Sequence, residues 1–110
     1  MYHKFGISKY PSTNVTIEQF ESHLEEFNKP KYNLRPLQFV IDSIQNDTIL
    51  PENVISLTVD DADRSFYEVA WPRLKTLNFP VVLFINTSTI SKSNKNYLNW
   101  DEIRQLKNEG

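Results

Sequence analysis

The residues best suited to chemistry are two adjacent carboxylates, Asp60 and Asp61, with Asp63 two positions further on. They follow directly on residues 54–59, a β-branched and largely apolar run that reads as a strand buried inside a parallel sheet. In parallel α/β folds ligands gather at the carboxyl ends of the strands, which is where this run delivers the pair. Neighbouring carboxylates repel each other unless a cation or a proton lies between them. One can therefore bind a divalent metal while the other acts as a base on metal-bound water. Taken alone, the cluster has a plainer explanation: Asp61 or Asp63 caps the helix that comes next. The histidines are His3 and His23. His23 falls at the flank of a helical apolar face, a surface position. His3 lies in a short apolar segment, where a buried, hydrogen-bonded strand histidine is the ordinary expectation. The rings of Tyr32, Trp71 and Tyr97 could stack on sugars, but scattered aromatics more often pack the core or its rim. Residues 92–96, Lys-Ser-Asn-Lys-Asn, read as a solvated loop.

Positioning these groups falls to alternating short apolar runs and amphipathic segments, the pattern of β/α units. Residues 2–5 form a candidate strand, and residues 8–14, with Pro11, a loop. Thr16 and Gln19 make a capping box, with Val15 and Phe20 placed as its hydrophobic staple. Ile17, Phe20, Leu24 and Phe27 then recur on one helical face, and Pro30 ends the helix. Residues 32–35 fit a short strand. Leu37, Val40, Ile41 and Ile44 have helical spacing, with Pro36 suited to a first turn, and residues 46–53 are a loop. Beyond the acidic cluster, Phe66, Val69, Ala70, Leu74 and Leu77 mark a helix, in which Pro72 predicts a kink or break near Trp71. Asn78, Phe79 and Pro80 turn the chain into residues 81–85, the clearest strand signal. Residues 86–96 are a polar loop with a turn at 88–90. Asn99 with Glu102 forms a second capping box, Leu98 with Ile103 its staple, and Gly110 stands where a helix ends. The count is about four strands, each followed by a helix or helical turn.

Composition narrows the function classes. The 110 residues carry 12 Lys+Arg against 14 Asp+Glu, a net charge of -2, without the basic excess of a nucleic-acid binder. A hydrophobic share of 39% is enough to build a core, which argues against global disorder. No apolar run approaches the roughly 18 residues that span a bilayer, and residues 1–5 show no signal-peptide pattern. The absence of cysteine excludes disulfides and thiolate metal sites. Two glycines are few for a domain with many tight turns.

Several motifs stand in order along the chain. Thr58-Val59-Asp60-Asp61-Ala62-Asp63 comes first, then Tyr67, Ala70, Pro72 and Leu74, then Phe79-Pro80-Val81-Val82-Leu83-Phe84-Ile85. In this it resembles the polysaccharide deacetylase family, carbohydrate esterase family 4, also called the nodulation-protein-B homology domain. The family's first motif is Thr-Phe-Asp-Asp-Gly at a strand end, followed by a helix with Tyr and Ala-x-Pro-x-Leu and a strand of the Pro-x-x-x-Phe type. Met1-Tyr2-His3-Lys4-Phe5 is similar to the family's first barrel strand, and Trp100-Asp101-Glu102-Ile103-Arg104-Gln105-Leu106 to the helix before its second motif. The resemblance implies metal-dependent hydrolysis of N- or O-acetyl groups from a polysaccharide. It makes Asp60 the general base, Asp61 a ligand of a divalent metal, usually zinc, and an acetylated polysaccharide the partner. It also implies action on envelope or extracytoplasmic glycans. Ala62 departs from the motif glycine and is strained if the backbone there needs a positive φ; Val59 for Phe is milder.

The family's remaining ligands, a His pair in a His-Ser/Thr-x-x-His motif, have no counterpart in this sequence. His3 is similar to a family position near the site that is not a standard ligand. A closed eight-unit barrel needs about 250 residues, or about 31 per unit, so 110 residues hold three to four units. The implied fold class is therefore α/β, a partial (β/α) barrel of the deacetylase type. Residues 1–110 would be the N-terminal part of that domain, truncated after Gly110, with the rest of the barrel missing. Alone, such a chain is expected neither to bind zinc tightly nor to catalyse deacetylation. With unpaired strand edges at residues 2–5 or the neighbouring strand and at residues 81–85, it is expected to be marginal and to self-associate. The alternatives are a non-catalytic carbohydrate-binding or interaction remnant of the fold and a phosphoacceptor signalling domain. The latter fits poorly, because here the acidic pair follows the third strand and no Asp ends the run 81–85.

Overall fold

The computed structural model describes residues 1–91 and 93–110; Lys92, read above as part of a solvated loop, lies outside the described residues. The elements run β1 (Lys4–Phe5), β2 (Asn14–Val15), α1 (Ile17–Phe27), β3 (Asn33–Leu34), α2 (Leu37–Gln45), β4 (Val54–Ile55) and β5 (Leu57–Asp60). A π-helical turn (Phe66–Ala70), α3 (Trp71–Thr76), β6 (Val81–Phe84) and α4 (Trp100–Glu109) follow. All strand pairing is parallel: β1 with β2, β3 with β4, and β5 with β6. Tyr2 links two of these pairs. It bridges Val59, taking the Asp60 N–H on its carbonyl at 2.9 Å and donating its own N–H to the Thr58 carbonyl at 2.8 Å. β1 and β5 therefore lie side by side, and their carboxyl ends point the same way.

Local chemistry explains the helices. α1 opens on the expected box, in which Thr16 Oγ1 accepts the Gln19 N–H at 3.1 Å and Gln19 Oε1 accepts the Thr16 N–H at 3.0 Å. α4 opens on the same device at Asn99 and Glu102. Pro72 has no N–H to give the carbonyl four residues back. The chain relieves this by widening one turn, where the Trp71 N–H reaches the Phe66 carbonyl five residues back. The expected break near Trp71 is thus a π turn that runs directly into α3.

The core sits between the parallel pairs and helices α1, α3 and α4. Phe5 and Phe20 meet edge to face with centroids 4.7 Å apart, and Phe66 adds a third buried ring. Val59, Ala70, Leu74 and Leu98 are almost wholly buried around them. Gly6, just past β1, has φ +69°, and a Cβ there would lie 2.8 Å from Ile17 Cγ1, so only glycine fits the entry to α1.

Three expectations need correction. Asn14 is not loop, because it forms β2 with Val15 against β1. The run 54–59 is not one strand; it divides at Ser56, whose hydroxyl donates to the Arg35 carbonyl at 2.8 Å. β4 thereby pairs with β3 while β5 pairs with β6. Pro36 occupies the N-cap of α2 rather than its first turn, and the apolar face of α2 is open: Phe39, Ile41 and Ile44 are all exposed. No helix among the described residues is long and apolar enough to cross a membrane.

Candidate active site

β5 carries Asp60 at its last position, and two left-handed residues follow: Asp61 at φ +72° and Ala62 at φ +55°. The suspected positive φ at Ala62 is therefore real. A left-handed conformation costs a residue with a Cβ about 1–2 kcal/mol. Ala62 bears that cost while fully buried, and its carbonyl accepts the Leu98 N–H at 3.0 Å. This turn separates the three carboxylates. Asp60 lines an open recess of about 400 Å³ between the ends of β5 and β6, shared with Met1, Thr58, Phe84 and Asn86. Its carboxylate has no hydrogen-bond or ion-pair partner among the described residues. Asp61 borders the same recess, and its side chain is 48% exposed. One of its oxygens meets His3 Nδ1 at 3.3 Å.

Asp63 points inward instead. Its Oδ1 accepts the Ser65 N–H at 3.0 Å and the Ser65 hydroxyl at 2.6 Å, while Lys4 Nζ stands 3.8 Å from Oδ2. Ser65 Oγ in turn accepts the Phe5 N–H at 3.0 Å, which fastens the start of the helical segment to β1. The capping role weighed for Asp61 or Asp63 thus belongs to Asp63, and Asp60 and Asp61 are left lining the open recess, both partly buried.

Arg64 holds the far wall. It forks onto Glu102, with Nη1 to Oε1 at 2.9 Å and Nη2 to Oε2 at 3.2 Å. It also donates to the Lys95 and Tyr97 carbonyls at 2.8 and 2.9 Å. Hydrogen bonding from Arg64 lowers the Glu102 carboxyl below its usual range and raises Arg64 in turn. Residues 95–97 are thereby fixed across the helix start.

Of the other residues singled out in the sequence, His23 is exposed on α1 and bonds the Tyr2 hydroxyl at 2.9 Å, not an acidic residue. Trp71 is 7% exposed, with Nε1 donating to Glu109, and Tyr32 donates to Glu26, so both act in packing. Tyr97 bridges Asp63 through its backbone. His3 is nearer the chemistry than a buried strand histidine would be. Its contact with Asp61 spans 58 residues of sequence, so no local pattern announces it.

Among the described residues no three His, Asp, Glu or Cys side chains converge closely enough to hold a metal ion. A catalytic zinc takes three protein ligands. Asp61, half-exposed and flanked by His3, suits one corner of such a site and does not make a whole one.

The polysaccharide deacetylase family model matches residues 47–110, a stretch that runs from before β4 through the acidic turn to the end of α4. The chain belongs to the polysaccharide deacetylase family. Three solved structures share its fold. IcaB from Ammonifex degensii has TM-score 0.87 and 22% identity over 99% of this chain and 47% of its own. Streptococcus pyogenes deacetylase PplD, solved in complex with acetate, has TM-score 0.83 and 23% identity over 100% of this chain and 51% of its own. A de-N-acetylase from Aggregatibacter actinomycetemcomitans has TM-score 0.78 and 24% identity over 99% and 49%. This deacetylase-family chain spans about half the length of each. No curated protein matches it.

Proposed function

We propose that this chain contributes the general base and one metal-binding carboxylate of a hydrolase that removes N- or O-acetyl groups from a polysaccharide. It would form about the first half of the (β/α) barrel. The observation that carries this reading is the splitting of the acidic cluster by the Asp61–Ala62 turn. Asp63 is consumed as a cap, while Asp60 stays unpartnered at a strand end, beside a half-exposed Asp61. Family membership and the likeness of fold to a solved de-N-acetylase and a solved deacetylase support it.

In this reading Asp60 takes the proton from the water that attacks the acetyl carbonyl. The products are acetate and a free amine or hydroxyl on the sugar. Asp61 offers one ligand to a divalent metal, zinc by family resemblance, which when bound supplies polarisation of the carbonyl. His3, on one Asp61 oxygen, leaves the other oxygen free to face the recess. The chain needs ligands from outside these 110 residues, so we propose that alone it is inactive and binds zinc more weakly than micromolar. Action on envelope or extracytoplasmic glycans follows from the same substrate class.

The test is deacetylase turnover of the complete protein carrying Asp60→Asn. Loss of a general base is expected to lower turnover by about 10²–10⁴-fold. Unchanged turnover would remove Asp60 from that role and favour the second reading, a non-catalytic carbohydrate-binding form of the fold. The incomplete ligand set is the observation on that side.

A further inference from the structure

A second recess, of about 530 Å³, opens on the other side of the acidic turn, between the loop after β1 and residues 95–97. Its lining is charged unlike the chain as a whole. Lys4, Lys9, Arg64 and Lys95 face it against Asp63 and Glu68, an excess of two positive charges on a chain of net charge -2. Two of the cations are already spent. Lys4 is largely buried beside Asp63, and Arg64 is forked onto Glu102. Lys9 and Lys95 are exposed at the rim and have no carboxylate partner among the described residues. Tyr10, at φ +72° and half-exposed, also lines the recess, with the Lys4 and Lys9 ammonium groups each 4.9 Å from its ring centroid.

Both walls are held in place before any ligand arrives. On one side, the Lys4 N–H donates to Thr13, the Thr13 N–H to Tyr10, and the Ile7 N–H to the Asn14 side chain. On the other, Arg64 takes the Lys95 and Tyr97 carbonyls, and its own N–H donates to the Asn96 carbonyl. A preformed cavity whose two rim lysines have no carboxylate partner among the described residues suits a sugar that bears an anion. Asp63, two residues beyond Asp61, lines this recess, while Asp60 and Asp61 line the other.

We propose that the Lys9–Tyr10–Lys95 recess is a subsite for a negatively charged glycan unit, one carrying a carboxylate or a phosphate, next to the reaction centre. It rests on the carbohydrate reading above, and its test is separable from that of Asp60. Three probes are titrated calorimetrically into the protein: tetragalacturonate, glucose 6-phosphate and neutral chitotetraose. The expected result is binding of at least one anionic probe that weakens at least tenfold in the Lys9→Gln/Lys95→Gln double variant and falls as salt is raised. Tetragalacturonate alone would identify the carboxylate, and glucose 6-phosphate alone the phosphate. Both lysines are exposed, so the double variant is expected to keep the parent thermal transition; should it not, reversal of binding by high salt in the parent decides. Asp60→Asn is expected to bind the anionic probes like the parent even if turnover is lost. Equal affinity for neutral and anionic probes, or affinity indifferent to both lysines and salt, would overturn the subsite.

Discussion

The acidic turn shows how much one residue can decide. Ala62 stands in a left-handed conformation with no exposed surface, so its methyl group both strains the backbone and fills the core. Ala62→Gly removes a strain of about 1–2 kcal/mol and forfeits burial of one methyl, about 0.8 kcal/mol, plus some backbone entropy. These oppose each other, and the expected stability change lies within about 1 kcal/mol of zero. Ala62→Val adds β-branching where φ is positive and volume where there is no room, and is expected to cost about 3 kcal/mol or more. Urea denaturation of the two variants checks the contrast, and equal stabilities would show that the turn relaxes. The sequence displayed the Asp pair, its place at a strand end and the question of strain at Ala62, because all three are local. It did not display which aspartate caps the helix or that His3 meets Asp61. The contact with His3 depends on Tyr2 laying β1 beside β5 across nearly 60 residues, whereas the cap is local and follows from the Asp61–Ala62 turn that leaves Asp63 against Ser65.

At the scale of elements, what is encoded within a few residues was readable, and what needs a distant partner was not. Both capping boxes and the break at Pro72 come from hydrogen bonds between near neighbours. β2 is two residues long and exists only because β1 pairs with it, so Asn14 looks like loop when read alone. Residues 95 and 96 likewise look like free solvated loop until Arg64 is seen gripping their carbonyls. α4 docks through a further long-range link. Glu109 accepts from Gln105, Trp71 and Lys75, and these bonds hold its carboxyl down to about 2 from an ordinary 4.5. A carboxyl depressed in the folded state stabilises it above the ordinary value. That contribution fades as pH falls from about 4.5 towards 2. In a Trp100→Phe background, Trp71 fluorescence is expected to report loosening of α4 across that window. Glu109→Gln should flatten this part of the titration, and identical acid curves in both proteins would show that Glu109 does not anchor the helix.

For the whole molecule, alternating apolar runs announced an α/β fold, but not the distribution of its exposed surface. α2 leaves Ile44 66% exposed, Ile49 beyond it is 97% exposed, and Phe84 on β6 is half-exposed. β6 pairs only with β5 among the described residues, so one edge of it is open. Covering a large aliphatic side chain is worth about 1.5–3 kcal/mol, which is ample to drive contact between copies. Sedimentation velocity is expected to show concentration-dependent association that is reduced by Ile44→Lys with Ile49→Lys. A monodisperse monomer at all concentrations would mean that these surfaces are tolerated in water. The bridge at Tyr2 has a practical corollary for anyone handling the protein. Because that single residue joins two strand pairs, Met1 is left 77% exposed at the mouth of the Asp60 recess. A bulky group fused directly ahead of Met1 would begin at the doorway of the site and is expected to obstruct it.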